Sequence, residues 1–98
     1  MYLNQEALNF KKSIDTYMLM YSLQIDFKEI TSYEKWERFK EILQRNRLCL
    51  INKRSGARAV DFIKISDEKL EYTYENNPIK GSCLINNLHR YFDIDYLI

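Results

Sequence analysis

Between Leu48 and Tyr74 the sequence carries three β-type runs separated by two short polar turns, a spacing that admits little except consecutive hairpins. Leu48-Cys49-Leu50-Ile51 is a short apolar run, Arg54-Ser55-Gly56 supplies turn residues, and Ala59 to Ile65 is rich in β-formers, so 48–53 and 58–65 are expected to pair. Asp67-Glu68-Lys69 makes a second turn. Leu70, Tyr72 and Tyr74 then alternate with Glu71, Thr73 and Glu75, which describes a strand with one wet face, ended by Asn76-Asn77-Pro78. Strands joined this way form an antiparallel sheet.

Helical spacing flanks this meander. Leu3, Ala7, Phe10, Ile14 and Tyr17 recur at intervals of four and three, predicting a helix over 3–16. From Tyr17 the pattern also fits period two, so the helix is expected to end near 17–22 and a strand to follow over about 23–29. Thr31-Ser32-Tyr33-Glu34 has the form of a capping box, opening a helix that runs to about Asn46 with Trp36, Phe39, Ile42 and Leu43 on its apolar face. Glu34–Arg38 and Glu41–Arg45 are spaced for i,i+4 pairing. Ser82 is expected to cap a last helix with Leu84, Ile85, Leu88, Tyr91 and Phe92 inward. The tail from Asp93 alternates and packs down. The expected architecture is a small two-layer α+β domain. It has an antiparallel three- to four-stranded sheet with helices on one face, in the order α-β-α-β-β-β-α.

The length of 98 residues fits one domain, and two Gly and one Pro leave little room for long loops. Residues 1–16 lack the apolar core of a signal peptide, and the apolar stretch Thr16–Ile25 is far short of the roughly 20 residues that span a bilayer. The expected location is the cytoplasm of the producer or of a host cell. Cys49 and Cys83 sit beside apolar residues and read as buried thiols in a reducing compartment, with a bridge between them the lesser alternative.

Net charge is only +1, but it is segregated. Residues 35–65 carry nine bases and three acids, whereas both flanks are net acidic. Arg45 and Arg47 near the end of the second helix, with Lys53, Arg54 and Arg58 in the first hairpin, are expected to form a basic patch that attracts phosphate or an acidic partner. The competing reading is that Arg45 and Arg47 complement the helix dipole and the hairpin bases keep a loop soluble. Tyr72 and Tyr74, on one strand face, are candidate interface residues if exposed.

Motifs for catalysis are absent. His89 is the one histidine, no CxxC or HExxH spacing occurs, and Gly56 and Gly81 alone make no phosphate loop, so neither a metal site nor a cofactor is expected. Asp93 and Asp95 share a strand face but read best as tail solvation. The leading expectation is a small non-enzymatic binding or inhibitor protein. A bias toward Asn, Ile, Lys and Tyr suits a phage or mobile-element source, where a host-defence or anti-CRISPR inhibitor is one instance. Its partner is expected to be a protein, contacted through Arg45, Arg47, Lys53, Arg54, Arg58, Tyr72 and Tyr74, with homodimerisation open. One alternative is an RNA- or DNA-binding module using the same bases. Another is a small toxin-like endoribonuclease using His89. The helix-then-meander order is similar to that of small ribosome-dependent RNase toxins, but their strong positive charge is missing and no family is assigned on it.

Overall fold

Residues 16–22 of the chain are helical (α1), and the way this helix stops sets the path of residues 23–30. Gln24 takes a left-handed conformation (φ 57°), its N–H donates to the Tyr21 carbonyl, and the Ile25 N–H donates to the Met20 carbonyl at 2.9 Å. That pair of bonds is a Schellman motif, and Ile25 and Met20 supply its apolar contact along one wall of a cavity. The strand expected over 23–29 is therefore replaced by this helix stop and by a 3-10 turn over Phe27–Glu29, whose first N–H groups are capped by Asp26. The period-two reading failed because buried Met20 belongs to the helical stripe rather than to an alternating face. The computed structural model describes residues 16–97; the helix expected over 3–16 lies, up to residue 15, outside the described residues.

Helix α2 spans Tyr33–Arg45. Its N-cap is Ser32, which accepts from the Lys35 N–H, one residue later than the expected Thr31 cap. The Glu34–Arg38 pair forms at 3.1 Å, whereas among the described residues Glu41 and Arg45 make no ion pair. Trp36, Phe39 and Leu43 are the buried face, as the spacing predicts.

Beyond α2 lie five antiparallel strands, making the protein α+β: β1 (Leu48–Asn52), β2 (Ala59–Ser66), β3 (Lys69–Tyr74), β4 (Asn77–Leu84) and β5 (Phe92–Tyr96). They divide into a three-stranded sheet β2-β3-β4 and a two-stranded sheet β1-β5, joined by one bridge between Ile51 and Arg58. The pairing of 48–53 with 58–65 is thus reduced to that bridge, because β1 takes β5 as its partner in the register Leu50–Ile94. Residues 82–84, expected to open a helix, extend β4; the helix is the single turn α3, Leu88–Tyr91, preceded by a 3-10 turn over Ile85–Asn87. A hairpin strand after Asn76-Asn77 satisfies the β3 edge, which a helix there would have left unpaired.

The core runs from Met20 and Phe27 through Trp36 and Phe39 to Leu50, Leu70, Ile85, Leu88 and Phe92. Tilted and edge-to-face ring pairs thread it: Trp36–Phe62 at 4.8 Å, Phe62–Tyr72 at 5.6 Å and Tyr72–Phe92 at 5.1 Å. Fully burying each such ring is worth about 1.5–3 kcal/mol. No disulfide joins Cys49 and Cys83; Cys83 is buried, which pushes its thiol up to about 11, and Cys49 is half-buried. Among the described residues no helix is long and apolar enough to cross a membrane.

Candidate functional site

The expected basic patch is divided by the strand inside it. Arg45 ends α2 and Arg47 precedes β1, whereas Lys53 and Arg54 follow β1 at its far end. The five residues of β1, six steps of about 3.3 Å, separate Arg47 from Lys53 by roughly 20 Å. Arg47 sits in a left-handed conformation (φ 54°) just beyond the helix, and its carbonyl accepts the Leu97 N–H at 2.8 Å. Arg45 and Arg47 therefore stand where positive charge suits the C-terminal dipole of α2. Arg58 is half-buried and ion-paired with Glu75. Tyr72 is buried in the core, so it is no surface contact; burial and the neighbouring Tyr74 raise its phenol far above the ordinary value. Tyr74 is half-buried, and its hydroxyl accepts a hydrogen bond from the Asn52 amide at 2.9 Å. Of the seven residues expected to bind a partner, Arg45, Arg47 and Arg54 are exposed and make no ion pair among the described residues.

Lys53 leads to a different cluster. Asn52 organises the turn after β1 by accepting the Arg54 and Ser55 N–H groups on its side-chain oxygen, while the Lys53 N–H donates to the Tyr91 carbonyl at 2.9 Å. This bond docks the turn against α3. The Lys53 ammonium then lies 3.9 Å from the carboxylate of Asp93, which is only 2% exposed. The reading of Asp93 as tail solvation is corrected here: β5 pairs with β1 and carries Asp93 inward opposite Ile51.

A cavity of about 330 Å³ opens beside this pair. Tyr17, Met20 and Tyr21 of α1 form one wall, Phe27 and Lys28 of the 3-10 turn another, and Lys53, His89 and Asp93 the polar side. The His89 ring lies edge-on to Phe27 at 6.5 Å. Desolvation lowers the His89 pKa, and the charges of Arg90, Lys28 and Lys53 lower it further; the Asn86 backbone opposes them. Its Nδ1 is buried and makes no hydrogen bond of ordinary geometry among the described residues. Lys28 and Lys53, from two distant chain segments, thus line the cavity with His89, and Arg90 follows His89 in α3. Acids are present as well, Asp26 on the rim and Asp93 at the base, so the site is bipolar with its bases gathered around His89.

Sequence reasoning missed this cluster because Lys28, Lys53 and His89 follow one another at gaps of 25 and 36 residues, and only the Schellman stop and the β1–β5 pairing bring them together. The one available signal was the polar Asp93-Ile94-Asp95 alternation in an apolar tail. Among the described residues no group of three His, Cys, Asp or Glu side chains is arranged to hold a metal ion. No family model, curated protein or solved structure matches the chain.

Proposed function

We propose that this protein is a non-enzymatic binding protein, an inhibitor that occupies an acidic surface of a protein partner with the face formed by α1, the turn after β1, and α3. The supporting observation is that Lys28, Lys53 and His89 line one open cavity, with Arg90 next to His89 in α3. Arg54, next in the turn, and the exposed aromatics Tyr17, Tyr21 and Tyr91 extend that face. Large rings beside cations are the composition of protein interfaces: the rings bury area at low entropic cost, and the charges select an acidic partner and speed its encounter. Host-defence proteins, including CRISPR effectors, are the target class that an inhibitor of this size and composition fits.

Affinity capture from host lysate, with and without nuclease treatment, tests the reading. A protein partner retained after nuclease supports it when Lys28→Glu abolishes that capture. Capture that disappears with the nucleic acid contradicts it.

One observation favours a second reading. An imidazole with a lowered pKa that shares a cavity with Lys28 and Lys53 is the pairing of a base with phosphate-attracting charge that an RNA-cleaving site requires. That reading expects RNA cleavage that His89→Ala abolishes, and cleavage surviving the substitution removes it.

A further inference from the structure

The β4 edge of the three-stranded sheet and the β5 edge of the two-stranded sheet are finished differently. In the β3–β4 ladder the Ile85 N–H donates to the Glu68 carbonyl at 2.8 Å, which makes 68–85 a hydrogen-bonded pair. Bonded and non-bonded pairs alternate in an antiparallel ladder. In the observed register Lys69–Leu84, Glu71–Ser82 and Thr73–Lys80 are therefore the non-bonded pairs. The N–H and C=O groups of Lys80, Ser82 and Leu84 consequently point away from β3, off the edge of the sheet. All three residues are exposed, and among the described residues none of these backbone groups has a partner. At the β5 edge, by contrast, the N–H groups of Phe92, Ile94 and Tyr96 are all taken, by the Leu88 carbonyl, the Thr16 hydroxyl and the Asp95 carboxylate.

We infer that β4 pairs antiparallel with β4 of a second copy of this chain, about a two-fold axis at Ser82, so that two three-stranded sheets join into one. The edge is self-complementary in one register, which a second copy of the same strand matches. Pro78 lacks an N–H, and the chain leaves the strand at Ile85, so the usable run is centred on Ser82. The Ser82-centred register pairs Lys80 with Leu84 of the second copy, Ser82 with Ser82, and Leu84 with Lys80, using every open group. Centring on Lys80 sets two lysines opposite each other, which is destabilising, and forms fewer pairs. In the chosen register the lysines are four residues apart, more than about 12 Å, and each keeps its own ion pair to Glu71 at 3.4 Å. A small side chain at the axis lets the copies meet without a clash.

The test reads oligomeric state and register together, on the full chain. Sedimentation should show a dimer whose dissociation falls within the micromolar range. Ser82→Cys places two thiols on paired residues about 5.5 Å apart between Cα atoms, within disulfide reach. Mild oxidation should then give a covalent dimer that the native chain and Lys80→Cys do not give. Leu84→Glu, set opposite a lysine of the second copy, should tighten the dimer about threefold or more, and Leu84→Lys should loosen it by a similar factor. Circular dichroism confirms that each variant is folded. A native chain that stays monomeric at several hundred micromolar, or a folded Ser82→Cys variant that forms no covalent dimer, overturns the inference. So does a tight complex with an extended peptide at this edge in place of the dimer.

Discussion

The hydroxyl of Thr16 serves both backbone groups of Ile94: it accepts the Ile94 N–H at 2.9 Å and donates to the Ile94 carbonyl at 3.3 Å. The β1–β5 ladder explains why both groups are available. The Leu97 N–H donates to Arg47 and the Lys53 N–H to Tyr91, so the odd-numbered residues of β5 make the ladder bonds and Ile94 points outward. Thr16 is itself buried, and this contact fixes α1 against the open edge of β5.

Thr16→Val keeps the shape and removes both bonds, leaving a buried donor and acceptor unpaired. The expected cost is about 2 kcal/mol. Urea denaturation should show the lower midpoint, with Thr16→Ser recovering most of it. Equal midpoints for the native chain and Thr16→Val would show that α1 is held by packing alone.

Gly81 lies under the ring of its cross-strand partner Tyr72. A Cβ there would come within 2.5 Å of the ring edge, and the ring cannot retreat because Phe62 and Phe92 pack against it. Gly81→Ala should therefore cost about 1–3 kcal/mol as overpacking. Its thermal midpoint checks this, and Gly81→Ala combined with Tyr72→Leu should lose less than the two separate losses added.

Gln24 stands at a left-handed position that costs a non-glycine residue about 1–2 kcal/mol. Gln24 is exposed and its side chain makes no hydrogen bond among the described residues. Gln24→Gly should raise stability by up to about 1 kcal/mol once the entropy of glycine is subtracted. Unchanged or lower stability would show that the helix stop does not depend on this conformation.

His89 makes stability depend on pH. Its folded pKa lies below the ordinary value near 6.5, so the unfolded chain binds the extra proton more readily. Stability from this group is present above that value and is lost as pH falls through it. Comparing denaturation at pH 7.5 and about 5.5 should show a loss that His89→Gln abolishes. A variant with the same loss would assign the effect to the carboxylates.

Much of the meander and the buried stripe of α2 was legible, because periodicity and turn residues report local geometry directly. Trp36, Phe39 and Leu43, the turn at Asp67–Glu68, and the inward Leu70 and Tyr72 all accord with spacing. What spacing could not show is partner choice between distant segments. Leu48–Ile51 fits a hairpin with the next strand as well as it fits β5, and only the tail's own alternation offers the competing edge. The same ambiguity hid the cluster around the cavity. Read along the chain, Lys53 belongs with Arg47; folded, it lines a cavity with Lys28, His89 and Asp93. Tyr72 shows the converse problem, since an amphipathic ring is equally at home at an interface or in a core.

In the proposed function, binding resides on the face around His89 and not at the end of α2. The direct measurement is partner capture by two paired charge reversals, Arg54→Glu with Arg90→Glu and Arg45→Glu with Arg47→Glu, each confirmed folded by circular dichroism. The first pair should abolish capture and the second should leave it intact. Loss with the second pair alone, or capture unchanged by the first, would contradict it.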